Sequence, residues 1–153
     1  MPALQIHNSQ NPFELFPFDV MSTSILSYAT DSPFDILQYQ KKTDNIEKLK
    51  SFQKLPDNWN DHGAKSFDEN LIERCINLIK SSALQNYQPD IFPTGRDSIQ
   101  FEYEKSNGEY LEIEIYLNHF AYFYIDFLGH EKESEDADWE DILKLINEFH
   151  NNA

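Results

Sequence analysis

Apolar and polar residues alternate most regularly between residues 98 and 128, with the period of half-buried β-strands. Three runs are predicted as strands, at about 98–104, 110–117 and 121–128. The apolar positions of the first two runs are Ile99, Phe101, Tyr103, Leu111, Ile113, Ile115 and Leu117. Because the connections are short, the pattern predicts an antiparallel meander with one apolar and one polar face.

The first connection, residues 106–108, ends in glycine and is typical of a three-residue hairpin loop with that glycine in the left-handed conformation. This loop pairs Lys105 with Glu109 and places Glu102 directly opposite Glu112. Like charges that face each other across strands destabilise a sheet by roughly 0.2–1 kcal/mol. Neither strand contains a basic residue that could relieve the pair. A cationic partner or a metal would relieve it; the alternative is an ordinary solvated face that tolerates the small penalty.

The second connection decides which way the third strand faces. A two-residue turn at residues 118–119 points Tyr122 and Tyr124 towards the core, whereas a three-residue loop points both to the polar face. The outward orientation is favoured, because it gives the strand a better apolar set. That set is Ala121, Phe123, Ile125 and Phe127.

Helical periodicity surrounds these strands. Ser66 and Glu69 have capping-box spacing, and a helix is predicted at about 67–84. Another is predicted at about 138–149, with acidic residues in its first turn. The side chains expected to be buried are Trp59, Leu71, Cys75, Ile76, Ile79, Phe101, Ile113, Ile115, Trp139, Ile142 and Ile146.

An earlier helix is predicted to begin at Ser32-Pro33, with serine as N-cap and proline in the first helical position. It either continues to the region of Pro56 or restarts as a second short helix at Thr43-Asp44. The residues that could form its apolar stripe are Ile36, Leu37, Ile46, Leu49 and Phe52.

Together these elements predict an α+β fold, with helices packed on one face of a three-stranded antiparallel meander and a helix at the C-terminus. Residues 1–31 contain three prolines and several phenylalanines, and are interpreted as an irregular, aromatic-containing arm. Residues 32–153 are interpreted as a single α+β domain. Residues 93–95 are expected to link helix to sheet, and the charged stretch 131–138 to be a solvated loop.

The distribution of charge limits the classes of partner that the protein could bind. Of the chain's 27 acidic residues, 14 lie between residues 97 and 141, where Lys105 and Lys132 are the only basic ones, and the net charge is −15. Such a surface repels nucleic acid and anionic lipid, so no direct nucleic-acid binding and no membrane association are expected. The first basic residue is Lys41 and no apolar run approaches about 20 residues, which indicates a cytoplasmic protein.

The polar sheet face is therefore predicted to bind a basic protein partner, in the manner of an antitoxin, immunity protein or inhibitor, without enzymatic activity. One alternative is an inhibitor that imitates nucleic acid and binds a DNA- or RNA-binding protein. Another is a small metal-dependent hydrolase that uses the sheet carboxylates. The oligomeric state is left open. The predicted contact residues are Glu102, Glu104, Tyr110, Glu112, Glu114 and Tyr116, together with Tyr122 and Tyr124 if the third strand turns them to the polar face.

Other chemistry has weaker support. Four carboxylates could converge on a hard cation, but a flat sheet surface rarely encloses an ion. These are Glu102, Glu112, Glu114 and Asp126. The five histidines are scattered singly and lack zinc-ligand spacing with Cys75, which is interpreted as a buried small hydrophobe. No catalytic residue, metal or cofactor is predicted.

Residues 55–64, with the sequence Leu-Pro-Asp-Asn-Trp-Asn-Asp-His-Gly-Ala, are interpreted as a loop whose Trp59 needs an apolar site. The segment resembles the opening motif of a group of small, largely uncharacterised bacterial and mobile-element proteins. These share Leu-Pro-x-Asn-Trp, a following Gly-Ala, a helix and a strand like residues 98–103. The resemblance covers about residues 55–126; it departs at His62, and at Tyr103 where tryptophan is frequent. It implies a helix-plus-meander module in defence, toxin or phage-linked settings, and no assigned activity.

Overall fold

A computed structural model of the protein describes residues 32–151, and the predicted arm at 1–31 lies outside the described residues. Three α-helices and one five-stranded sheet form this part of the chain. The helices are α1 (Pro33–Phe52), α2 (Glu69–Lys80) and α3 (Trp139–Asn151), with a 3₁₀ turn at Ser82–Leu84. The strands are β1 (Asp90–Pro93), β2 (Ile99–Glu104), β3 (Tyr110–Ile115), β4 (Phe120–Ile125) and β5 (Glu131–Ala137).

All five strands pair antiparallel with their neighbours in chain order, β1-β2-β3-β4-β5. The α+β class and the C-terminal helix are thus confirmed, but the predicted three-stranded meander lacks two strands. Both of these strands lie at the edges of the sheet. The short β1 ends in Pro93, and proline is tolerated at an edge because no ladder bond needs its missing N–H.

The other unpredicted strand, β5, replaces the solvated loop expected at 131–138. Its charged residues remain exposed to water, and among residues 32–151 β5 pairs with β4 alone. Backbone pairing holds most of this strand in the sheet, and Ala137 at its end is buried in the core. Since strand patterns are read from burial, residues 131–137 carry no apolar alternation that could have revealed it.

One hydrophobic core joins the inward face of the sheet to all three helices. From the helices it includes Leu49 and Phe52 of α1, Cys75 of α2 and Phe149 of α3. Eight of the eleven side chains expected to be buried are buried. The three exceptions, which are half-buried against the core, are Trp59, Ile76 and Trp139.

The facing predicted for β4 was wrong. The Tyr116 N–H donates to the His119 carbonyl at 3.1 Å, so the chain reverses in a two-residue turn at 117–118. Leu111 then lies opposite Tyr124, whose side chain is fully buried, and Tyr122 is half-buried against the same core. A shift of one residue exchanges the two faces of a strand, and here it sends Ala121, Phe123 and Ile125 outward.

Two helix details also differ from the predictions. The N-cap of α2 is Asp68, which accepts from the Asn70 N–H at 2.7 Å, rather than Ser66. Helix α1 continues through Thr43, whose hydroxyl donates to the Tyr39 carbonyl one turn earlier, so there is no restart. The proposed apolar stripe of α1 fails at its start, because Ile36 and Leu37 are exposed.

Candidate protein-binding face

The sheet surface opposite the core is here called the open face. Within residues 32–151, the buried side chains of the helices belong to the core on the other side. The residues that the strand registers bring to the open face are Asp90, Phe92, Gln100, Glu102, Glu104, Tyr110, Glu112, Glu114, Ala121, Phe123, Ile125, Glu131 and Glu133. This face therefore combines side chains from all five strands.

Its centre contains the like-charge pair that the hairpin predicted. The register aligns Glu102 with Glu112, and Gly108 has a φ of 90° in the connecting loop, so this prediction is confirmed. Within residues 32–151, neither carboxylate takes part in an ion pair. The hydrogen bonds that Glu102 and Glu112 accept within the described residues therefore come from neutral groups.

Those neutral groups are a phenol and an amide. The Tyr110 hydroxyl donates to Glu112 Oε2 at 2.9 Å, and the Gln100 amide donates to Glu102. Partial burial, together with the hydrogen bond to Glu112 and the charge of Glu102, raises the pKa of Tyr110 far above its usual value. The phenol therefore remains a hydrogen-bond donor at any physiological pH.

Glu114 has a different role. The Arg96 guanidinium contacts both of its carboxylate oxygens at 2.9 Å, and the Ser98 hydroxyl donates to Oε1. Burial raises the pKa of Glu114, but hydrogen bonds from Arg96, Ser98 and Tyr116 more than offset this and hold it below its usual value. Glu114 is 8% exposed and is a structural carboxylate. Arg96 precedes the strand rather than lying within it, so the alternation of strand residues did not reveal it as a partner of Glu114.

The remaining predicted contact residues divide between the two faces. Glu104 is exposed and Tyr116 is half-buried, with its ring stacked on His119 at 4.3 Å between centroids. Tyr122 and Tyr124 face the core, and Tyr124 is inaccessible to any partner. Their assignment to the binding surface was wrong for the same reason as the β4 facing.

The reversed strand puts an apolar seam on the open face instead. It consists of Ala121, Phe123 and Ile125, and each is flanked by residues of the neighbouring strands. Phe123 lies between Glu112 of β3 and Glu133 of β5. Both Phe123 and Ile125 are half-buried. The open face is thus an apolar strip between two acidic rows. The two-residue turn between β3 and β4, which the sequence left open as the less favoured alternative, would have predicted this strip.

Next to the face, a buried carboxylate secures the β2–β3 hairpin. Glu109 is fully buried and accepts from Lys105 Nζ at 2.9 Å and from the Asn107 amide at 3.0 Å. The Asn107 hydrogen bond is the largest cause of its lowered pKa, and it outweighs the opposite effect of burial. The predicted pairing of Lys105 with Glu109 is confirmed, although the sequence did not reveal that the carboxylate is buried.

A half-buried histidine lies close to this hairpin. His150 stacks on Tyr87 with 3.6 Å between ring centroids, and its Nε2 is buried without a hydrogen-bond partner among residues 32–151. Burial, followed by the charge of Lys105, lowers the pKa of His150 to about 4. The ring is therefore neutral near pH 7.

The loop at residues 55–64 is held together by its own hydrogen bonds. Asn58 and Gly63 have positive φ angles, and the Asn58 amide oxygen accepts from the Gly63 N–H at 2.7 Å. Asn60 accepts from two backbone N–H groups, and the Trp59 ring packs on Phe67 with 5.9 Å between centroids. The segment is a loop, as the sequence predicted, and its motif residues form one hydrogen-bonded structural unit.

The acidic residues considered as metal ligands, and Cys75 considered as a nucleophile, have other roles in the structure. Asp126 pairs with His130 at 2.9 Å in the β4–β5 turn, away from the other three acids considered with it. Residues 32–151 contain no group of three or more histidine, cysteine or acidic side chains placed to hold a metal ion. Burial raises the pKa of the Cys75 thiol to about 12, which keeps it protonated.

A scan against protein-family models gave no match, and searches of curated proteins and of solved structures gave none either. The resemblance of residues 55–126 to the group of small bacterial and mobile-element proteins therefore stays a prediction. No helix between residues 32 and 151 has the length and apolar character needed to cross a membrane.

Proposed function

We propose that this protein is a non-enzymatic binding module that neutralises a basic surface of another protein, as antitoxins, immunity proteins and inhibitors do. The observation that carries the proposal is the Glu102–Glu112 pair. Two carboxylates face each other on an accessible sheet surface, and neither forms an ion pair with another residue of the described part, 32–151. Their repulsion costs the fold roughly 0.2–1 kcal/mol, and a cationic partner would remove that cost on binding.

The apolar seam supports a protein as the partner. Protein interfaces typically have an apolar centre surrounded by a polar rim. Phe123 and Ile125 supply such a centre, and the acidic rows on β3 and β5 supply the rim. A partner surface with an exposed apolar group encircled by lysine or arginine would be complementary to it.

The seam also separates this proposal from the alternative of nucleic-acid mimicry. A mimic must present carboxylates where phosphates would lie, and a partner built for phosphates has no use for an apolar strip. The partner in the proposal is therefore selected by both charge and apolar contact. Charge sets the association rate and apolar contact lengthens the residence time.

The test replaces Glu102 and Glu112 together by glutamine. Once a partner has been isolated by affinity capture, the double variant is expected to bind it about tenfold more weakly, mainly through a slower association rate and a flatter salt dependence. Surface plasmon resonance at several ionic strengths measures both quantities. The melting temperature is expected to stay the same or rise slightly.

The matched control replaces Glu69 and Glu73 of α2 by glutamine; both are exposed and lie outside the open face. This variant has the same net charge as the first, so it separates local from global charge effects. Equal loss of binding in the two variants would reduce the effect to net charge. Unchanged binding in the Glu102→Gln/Glu112→Gln variant would refute the open face as the working surface.

A further inference from the structure

The two edges of the sheet differ in what they offer another chain. At the first edge, β1 has four residues and ends in Pro93, and Lys41 and Lys48 of α1 reach Asp90 and Phe92. At the other edge, β5 has seven residues, and within residues 32–151 it pairs with β4 alone. An edge strand that is unpaired in the described part of the chain is a template for one more strand.

The backbone groups that point outward can be identified from the register. The Asp126 N–H donates to the His130 carbonyl at 3.0 Å, and the same register continues to Lys132. Bonded and non-bonded pairs alternate along an antiparallel ladder. Lys132 therefore directs its backbone groups to β4, whereas Glu131 and Glu133 direct theirs to the open edge.

The side chains of the same two residues lie on the open face, opposite Ile125 and Phe123. Lys132 extends the other way and pairs with Glu148 at 2.9 Å, so it does not neutralise them. Beyond residue 134 the register shifts, and this irregularity ends the regular edge. The usable edge is therefore short and carries a carboxylate at every second residue.

This charge pattern selects the occupant. A second copy of β5 would bring the same carboxylates together, and each facing pair would be destabilising. An added strand with lysine or arginine at alternate positions would instead place cations beside Glu131 and Glu133. Its other side chains would point away from the open face.

We propose that β5 binds an extended, basic segment of the partner protein as a sixth strand, with lysine or arginine at every second residue. The inference rests on the proposed function for the sign of the partner's charge. It goes further in naming the partner's conformation and the edge that receives it.

The probe is a synthetic peptide of about nine residues in which lysine and threonine alternate, long enough to cover β5. A second peptide of the same composition has its lysines in one block. We expect the alternating peptide to bind more tightly at low ionic strength, as measured by isothermal titration calorimetry. It should also protect the backbone amides of Glu131 and Glu133 from hydrogen exchange in NMR spectra.

Two variants separate hydrogen bonding from charge. Glu133→Gln removes the carboxylate and keeps the outward N–H, whereas Glu133→Pro removes both and leaves the bonds to β4 in place. We expect the proline variant to bind the alternating peptide about tenfold more weakly than the glutamine variant. If the proline variant does not fold, an alternating peptide N-methylated along its pairing edge serves instead, and it should bind about tenfold more weakly than the unmethylated peptide.

Equal binding of the two peptides, absent protection at Glu131 and Glu133, or equal affinity of the two variants would overturn the added-strand proposal. These results would leave the open face untouched, because its test uses the native partner and the Glu102→Gln/Glu112→Gln variant. Conversely, protection of β5 with no effect of that double variant would refute the open face and keep the edge.

Discussion

Two glutamates of β3 that share the open face should respond in opposite ways to the same substitution. Glu112 faces Glu102 and has no ion-pair partner in the part of the chain that the structure describes, whereas Glu114 receives two hydrogen bonds from Arg96 and one from Ser98. Replacement by glutamine preserves shape in both cases and removes one negative charge. The pair of variants therefore isolates the local electrostatic environment.

The magnitudes follow from these contacts. At Glu114, loss of charge-assisted hydrogen bonds to a buried carboxylate would cost up to about 3 kcal/mol. Because the Arg96 side chain is 63% exposed and well hydrated, we reduce this to about 1–2 kcal/mol. At Glu112, relief of the like-charge pair should be neutral or should add roughly 0.2–1 kcal/mol of stability.

The pH dependence supplies a second readout. The folded state lowers the pKa of Glu114 from 4.5, so its stabilising effect is present above that pH and is lost as the pH falls through the folded value. The difference between wild type and Glu114→Gln should therefore shrink from pH 7 to pH 3. Urea unfolding followed by circular dichroism measures the free energies of unfolding. If Glu112→Gln destabilises the protein, Glu112 is not repelled by Glu102 as proposed. If Glu114→Gln is as stable as wild type at pH 7, the contacts of Glu114 with Arg96 and Ser98 do not stabilise the fold.

Two further substitutions test the surroundings of the face. His150→Phe should keep the ring stacking but abolish a loss of about 1–2 kcal/mol in the free energy of unfolding between pH 6.5 and about 4. The loss arises because burial and the charge of Lys105 keep His150 neutral in the folded state, whereas the unfolded chain is free to take up the proton. We reduce the expected loss because the ring is half-exposed. Urea titrations at several pH values would measure the free energy of unfolding. Gly95→Ala should destabilise the protein by about 1–3 kcal/mol in thermal melts, since the new methyl group would lie 2.9 Å from Asn60 Nδ2; a melting temperature equal to wild type would show that the loop yields without cost.

Local patterns predicted the elements that bury one face. The alternation of Ile99 to Ile115 identified β2 and β3, and a glycine at position 108 fixed their register. The periodic apolar residues of α2 and α3 identified both helices. In each case the spacing of apolar residues in the sequence shows which side chains are buried, so no tertiary information was needed.

The candidate site was only partly predictable. The Glu102–Glu112 pair followed from the loop length, because a hairpin register is a local property. The partners of Glu114 could not be read in the same way, since Arg96 reaches it from a preceding turn across 18 positions of sequence. Glu109 looked like any other acid of the hairpin until the packing of its surroundings was known.

Local patterns along the chain are enough to predict the α+β class, the hairpin register and the concentration of acidic residues in one part of the chain. The composition of the open face depends instead on how the strands pack. A two-residue turn at 117–118 moved the tyrosines of β4 into the core and the apolar seam outward, and edge pairing made a strand of the charged residues 131–137. Both outcomes depend on packing against the sheet, because β4 carries apolar or aromatic side chains on both faces and β5 is polar along most of its length.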